Sequence, residues 1–184
     1  TSDPWKKYEY ACALMGMGRL LPAEPMLRQS LAHYEQAGEP LPLAIVQMQY
    51  AVLVDSPGFS VSPHFHDKRT AMGGRAALPQ KARALNEAAR SGLLEVASSA
   101  QASAPERTQA LLFLIQAHAR LGDFREACAT IDRAAEAYAQ AGNAPYKYAI
   151  YRFKTVPEFL EDRRDMLECR QDAPEPRHGN ARQP

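Results

Sequence analysis

Residues 111–142 read LLFLIQAHARLGDFREACATIDRAAEAYAQAG. Leu111, Leu114, Ile115 and His118 recur at helical spacing, which stripes one side of a helix. Leu121-Gly122-Asp123 then turns the chain, because glycine takes the left-handed backbone that ends helices without a steric penalty. Ala127, Ile131, Ala134, Ala135 and Tyr138 form the stripe of a second helix, closed by Gly142, and their small side chains let two helices approach closely. The stretch predicts a helical hairpin.

Self-similarity extends that hairpin outward. Tyr34-Glu35-Gln36-Ala37-Gly38 follows Gly18 at the same distance at which Tyr138-Ala139-Gln140-Ala141-Gly142 follows Gly122. Tyr8-Glu9-Tyr10-Ala11-Cys12 returns as Tyr146-Lys147-Tyr148-Ala149-Ile150, and Tyr10-Ala11 before Gly18 returns as Tyr50-Ala51 before Gly58. The first unit therefore pairs Tyr10, Leu14 and Met17 with Ala23, Leu27, Leu31 and Tyr34. The second unit is interrupted: a helix from about Leu43 to Val54 precedes a long inserted loop, residues 55–74, rich in Pro, Ser, Gly and His. Leu78, Ala82, Leu85, Ala89, Leu93 and Val96 then mark its delayed second helix, and residues 100–105 read as a linker. A fourth first helix is expected after Pro145, with Pro157 kinking or ending it before a capping helix from about Glu158 to Arg170. Residues 172–184, with Pro174, Pro176, Gly179 and Pro184 among polar side chains, read as a disordered tail. Residues 1–171 are expected to form one all-α domain.

The order Gly18, Ala23, Leu27, Ser30, repeated as Gly122, Ala127, Ile131, Ala134, resembles the tetratricopeptide repeat. The long second helices ending in Tyr, Gln, Ala and Gly look like the variant of about 40 residues found in sensor domains of bacterial regulators and in cargo-binding motor light chains. The resemblance covers roughly residues 4–155 and departs from the pattern at the insertion. It implies a solenoid of about four helical hairpins, wound as a right-handed superhelix, whose first helices line a concave groove. In that register the groove residues are Tyr8, Glu9, Cys12, Met48, Gln49, Val52, Leu112, Phe113, Gln116, Tyr146, Lys147 and Ile150, with Trp5 and Ile45 beside them. Relatives that capture a chaperone's C-terminal carboxylate use Lys and Asn at such positions, where Tyr8, Cys12, Met48 and Val52 stand here. A mainly apolar, aromatic surface suits a peptide or helix presenting apolar side chains, because aromatic anchors bury area at low entropic cost.

Other classes find little support. Lys and Arg number 22 against 21 acidic residues, a net charge of +1, so no electrostatic footprint for nucleic acid or anionic lipid is present. No apolar run approaches the roughly 18 to 20 residues that a membrane-spanning helix needs. Cys12, Cys128 and Cys169 are odd in number and widely spaced, which argues against a disulfide framework or a structural zinc site and favours a reducing, cytoplasmic setting. Gly73-Gly74 is followed by no Lys-Ser or Lys-Thr pair, and no nucleophile elbow or HExxH helix occurs. His64 and His66 beside Asp67 lack a third ligand nearby, so a solvated loop is the expectation over a metal site. Neither a cofactor nor an enzymatic activity is expected. The leading expectation is an interaction scaffold or adaptor that binds a partner protein's peptide or helix. The alternative is a sensor or regulatory domain of a larger enzyme or transcription regulator, which Thr1 in place of an initiator Met would fit.

Overall fold

Asp3 precedes Pro4, and its carboxylate accepts from the backbone N–H groups of Trp5 (2.8 Å) and Lys6 (3.3 Å). The first helix, α1 (Pro4–Gly16), thus begins with a side-chain cap and with a proline where a missing N–H costs nothing. A computed structural model describes residues 2–56, 80–142 and 155–169 of the chain. After α1 come α2 (Leu20–Ala37), α3 (Pro40–Asp55), α4 (Gln80–Ser98), α5 (Ala104–Leu121), α6 (Phe124–Gln140) and α7 (Val156–Met166). Among the described residues there are seven helices and no strand.

The glycine spacing marks the turns. Gly18 and Gly122 sit at φ +73° and +85°, and in each case the next N–H reaches back to close the turn, Arg19 to the Leu14 carbonyl (2.8 Å) and Asp123 to the His118 carbonyl (2.9 Å). That pattern satisfies carbonyls the helix end leaves open, and any side chain there would be strained. Capping boxes start α5, through Ser103 and Glu106, and α7, through Thr155 and Glu158. Ala104 and Pro105 accordingly belong to the first turn of α5 rather than to a linker. Pro157 likewise stands in the first turn of α7, where it neither kinks nor ends a helix. Residues 57–74 of the expected loop, with His64 and His66, lie outside the described residues, as do the helix expected after Pro145 and the tail at 172–184.

Helices adjacent in the chain pack on one another wherever both are described, and α1 also touches α3, as α3 touches α5. Alanines make this close approach possible: Ala82, Ala89, Ala110, Ala117, Ala127 and Ala134 are all fully buried. Two large core clusters result, one from α1, α2 and α3, the other from α3 through α7, and a small third one joins Ala119 and Ala127 under Met166 and Leu167. Trp5 and Tyr8 pack against both large clusters and join them. Helix α7 adds Val156, Phe159 and Leu160 to the second cluster, each worth about 1.5–3 kcal/mol of burial. No helix of the described residues is long and apolar enough to cross a membrane.

One expectation is overturned. Cys128 of α6 and Cys169, just past α7, form a disulfide with their Cα atoms 5.6 Å apart. The residues lie 41 apart in sequence, and only the return of α7 onto α6 brings them together. The wide spacing that argued against a bridge is what makes it useful, since a cross-link restricts the unfolded chain more when the loop it closes is long. The ground for a reducing setting goes with it, because such bonds persist mainly in oxidising surroundings.

At the other end of α5, Arg90 of α4 pairs with Asp123 in the turn (2.7 Å), and His118 Nδ1 lies 3.9 Å from the same carboxylate. Burial holds the His118 imidazole below its ordinary 6.5, against the pull of Asp123 in the opposite direction. Below pH 6.5 the unfolded chain then binds the His118 proton more readily than the folded one, so this residue costs stability as the pH falls. His118→Gln is expected to flatten the decline in Tm between pH 7 and pH 5 relative to the parent protein, measured by thermal unfolding; parallel pH profiles would show that His118 does not titrate differently on folding. Replacing Cys128 and Cys169 together by Ser is expected to lower the unfolding free energy by about 4 kcal/mol, from the loop-closure entropy of the bridge. Urea unfolding checks this, and an unchanged midpoint would show that packing alone holds α7 in place.

Candidate partner-binding face

Helix α3 lies between α1 and α5 and touches both. On α1, Tyr8 and Cys12 are four residues apart and so neighbours on one side of the helix. Trp5 extends it: its ring lies 4.6 Å from that of Tyr8, and its Nε1–H donates to Glu9 Oε1 at 3.0 Å, which orients the exposed Glu9. On α3 the partly buried Gln49 and Val52 follow, Gln49 donating from Nε2 to the sulfur of Met15 at 3.4 Å. On α5 the partly buried Gln116 leads to Arg120, whose Nη1 donates to the Met48 carbonyl at 2.9 Å and so ties α5 to α3 across 72 residues.

The expected groove residues divide on this face. Tyr8, Cys12, Gln49, Val52 and Gln116 are partly exposed and Glu9 fully so. Leu112 is wholly buried, and Ile45, Met48 and Phe113 are at most 8% exposed, all four within the second core cluster. Those side chains act as packing that shapes the face from behind. The reason is that α5 is apolar on most sides: Thr108 through Ile115 are buried without a break, so spacing alone does not distinguish its inward from its outward residues. Tyr146, Lys147 and Ile150 lie outside the described residues.

Arg120 was not among the expected residues, although its spacing from Phe113 and Gln116, seven and four residues, places it on their side of the helix. Burial draws its guanidinium down to about 10, with the neighbouring Arg163 of α7 acting the same way and Asp55 and Tyr8 opposing them. It remains cationic at neutral pH. Burial also pushes the Tyr8 phenol well above its usual value, helped by Cys12, with Arg120 pulling it back. The face thus combines neutral phenol and thiol groups, two glutamines, apolar flanks and one embedded cation. It can bury apolar side chains and offer directed hydrogen bonds, and its one described thiol, Cys12, is held in the protonated form.

Cys12 makes this last point testable. Burial lifts its thiol to about 11, with Glu9 adding to the rise and Tyr8 offsetting part of it. Since the thiolate is the reactive form, Cys12 is expected to react with iodoacetamide at pH 7 about a hundredfold more slowly in the folded protein than in urea. Peptide mapping of the alkylated, unreduced protein reads this directly, and equal rates would mean that the thiol is not buried. No family model, no curated protein and no solved structure matches the chain, so the function of this face rests on its own geometry.

Proposed function

We propose that the chain is a tetratricopeptide-like solenoid of helical hairpins that serves as an interaction scaffold, binding a peptide or helix of a partner protein along a concave face. The observation that carries this reading is the contact of alternate helices, α1 with α3 and α3 with α5, in addition to the contact between neighbours. Hairpins that stack in one direction produce such contacts, and they leave the first helix of each hairpin side by side on a continuous surface. Partly exposed Tyr8, Cys12, Gln49, Val52 and Gln116 lie along that surface and fully buried residues support it. A rigid platform with amphipathic side chains suits an extended or helical ligand, because little conformational freedom is lost on binding.

The test needs variants that alter the face without opening the core. Val52→Glu and Gln116→Glu both stand at partly exposed positions and introduce charge into the proposed groove. Peptides selected on the parent protein from a random display library are expected to bind each variant at least tenfold more weakly, about 1.4 kcal/mol, with the circular dichroism spectrum unchanged. Tyr10→Glu and Leu21→Glu serve as controls, because these residues are 53% and 70% exposed on the outside of the first hairpin. Loss of binding in the control pair but not in the groove pair would reject the concave face as the binding surface.

A further inference from the structure

Among the described residues, no carboxylate forms an ion pair with Arg120. Its single hydrogen bond within the described residues runs to a neutral carbonyl, that of Met48. Its other nitrogen donors are not sealed from solvent, for none is among the buried polar atoms that lack a partner. Every charged group acting on it can be named. Asp55 of α3 favours the charge without reaching it, and Arg163 of α7 opposes it. Arg163 has its own surroundings, with the Asp162 carboxylate at 3.8 Å and the Phe159 ring at 5.1 Å beneath its guanidinium. From α1 the face presents Tyr8 and Cys12, both neutral at pH 7 because burial raises each.

A partly buried guanidinium with unused donors and no carboxylate in contact among the described residues is costly in the unliganded protein and strongly attractive to an anion of matching shape. We infer that Arg120 is the anion-recognition residue of the concave face, binding a carboxylate of the bound peptide with the guanidinium edge that Met48 leaves open. This deepens the peptide-groove reading and rests on it. A carboxylate is favoured over a phosphoryl group because Asp55, whose charge acts on the same guanidinium, opposes a second negative charge on the ligand. The apolar side chains nearby sharpen the choice: in a poorly solvated site, an amide in place of the acid forfeits the charge-assisted bond and gains nothing in exchange. The recognised ligand is therefore an apolar peptide segment that carries one acidic group, supplied either by an Asp or Glu side chain or by the chain's C-terminus.

Four synthetic peptide pools test this on the full chain: apolar random sequences with a fixed central Glu or a fixed central Gln, each made with a free or an amidated C-terminus. The parent protein is expected to retain the acid-bearing pools at least tenfold more than the amidated Gln pool, and the comparison of Glu-amide with Gln-acid pools locates the carboxylate. Arg120→Met should abolish that preference while keeping or raising Tm, since it removes a buried charge that has no ion pair among the described residues. Arg120→Lys should keep part of the preference, retaining charge without the fork. Equal retention of all pools by parent and Arg120→Met would overturn the anion site and leave the groove standing. Retention of no pool by either protein would overturn the groove and the anion site with it. A marked fall in Tm for Arg120→Met would also overturn the inference, by showing that Arg120 is a structural residue.

Discussion

Helix α3 has nowhere to put its side chains except between its neighbours. Nine of its sixteen residues are buried, from Leu41 to Leu53 and on more than one side, so it is stable only when α2, α4, α1 and α5 all cover it. It also belongs to both large core clusters, with Val46, Tyr50 and Leu53 in the first and Ile45 and Met48 in the second. The rest of the structure follows from that requirement. The first hairpin is held to the remainder through α3, and the face formed by α1, α3 and α5 exists because α3 draws the other two against it. Polar contacts reinforce this without replacing it: the hydroxyl of Tyr50 donates to Glu24 of α2 and accepts from Lys81 of α4, at 3.2 and 3.3 Å.

That arrangement accounts for the character of the face. Close packing of the helices from behind leaves only the margins of α1, α3 and α5 partly open, and there the side chains are those that tolerate both environments, Tyr8, Gln49 and Gln116. Arg120 is the exception. A methionine or leucine would fill its space without the loss of hydration that lowers its basicity, so its presence runs against local stability. Side chains whose burial opposes stability tend to mark places where a protein meets something else. The hydrogen bond to Met48 fixes the guanidinium in place beforehand, which is the condition under which a recognition residue loses least freedom on binding.

The fold is legible in the sequence where local chemistry decides the outcome. Gly18, Gly38, Gly122 and Gly142 take the left-handed conformation at their helix ends, and of the expected stripes Ala23 and Leu27 of α2, Ala82, Ala89 and Leu93 of α4 and Ala127, Ile131 and Ala134 of α6 are buried, whereas Leu31, Leu85, Ala135 and Tyr138 are only partly so. In those helices one side faces the core and the other faces water, so periodicity carries the answer. In α3 and α5 it does not. Both are apolar nearly all round, and the difference between Leu112, sealed in the core, and Gln116, on its margin, depends on which helices arrive from elsewhere in the chain. Arg120 was missed because a basic residue just before a glycine turn reads naturally as a helix C-terminal charge in water. The disulfide was missed because two cysteines 41 residues apart carry no local signal, and their meeting is a product of tertiary packing.

The bridge also bears on how α7 is held. Helix α7 packs Val156, Phe159 and Leu160 into the same core cluster as the buried residues of α5 and α6. At 11 residues α7 is too short to be a stable helix on its own, and beyond its apolar contacts its ties to α6 are the Arg164–Asp132 pair at 2.9 Å and the disulfide. An exposed ion pair contributes little, so the covalent link is the stronger of the two. Arg163 rides on this same helix, stacked over Phe159 within it, and its charge reaches Arg120. Helix α7 therefore does more than cover the core. By fixing α7, the bridge also fixes one of the charges that sets how strongly Arg120 calls for an anion.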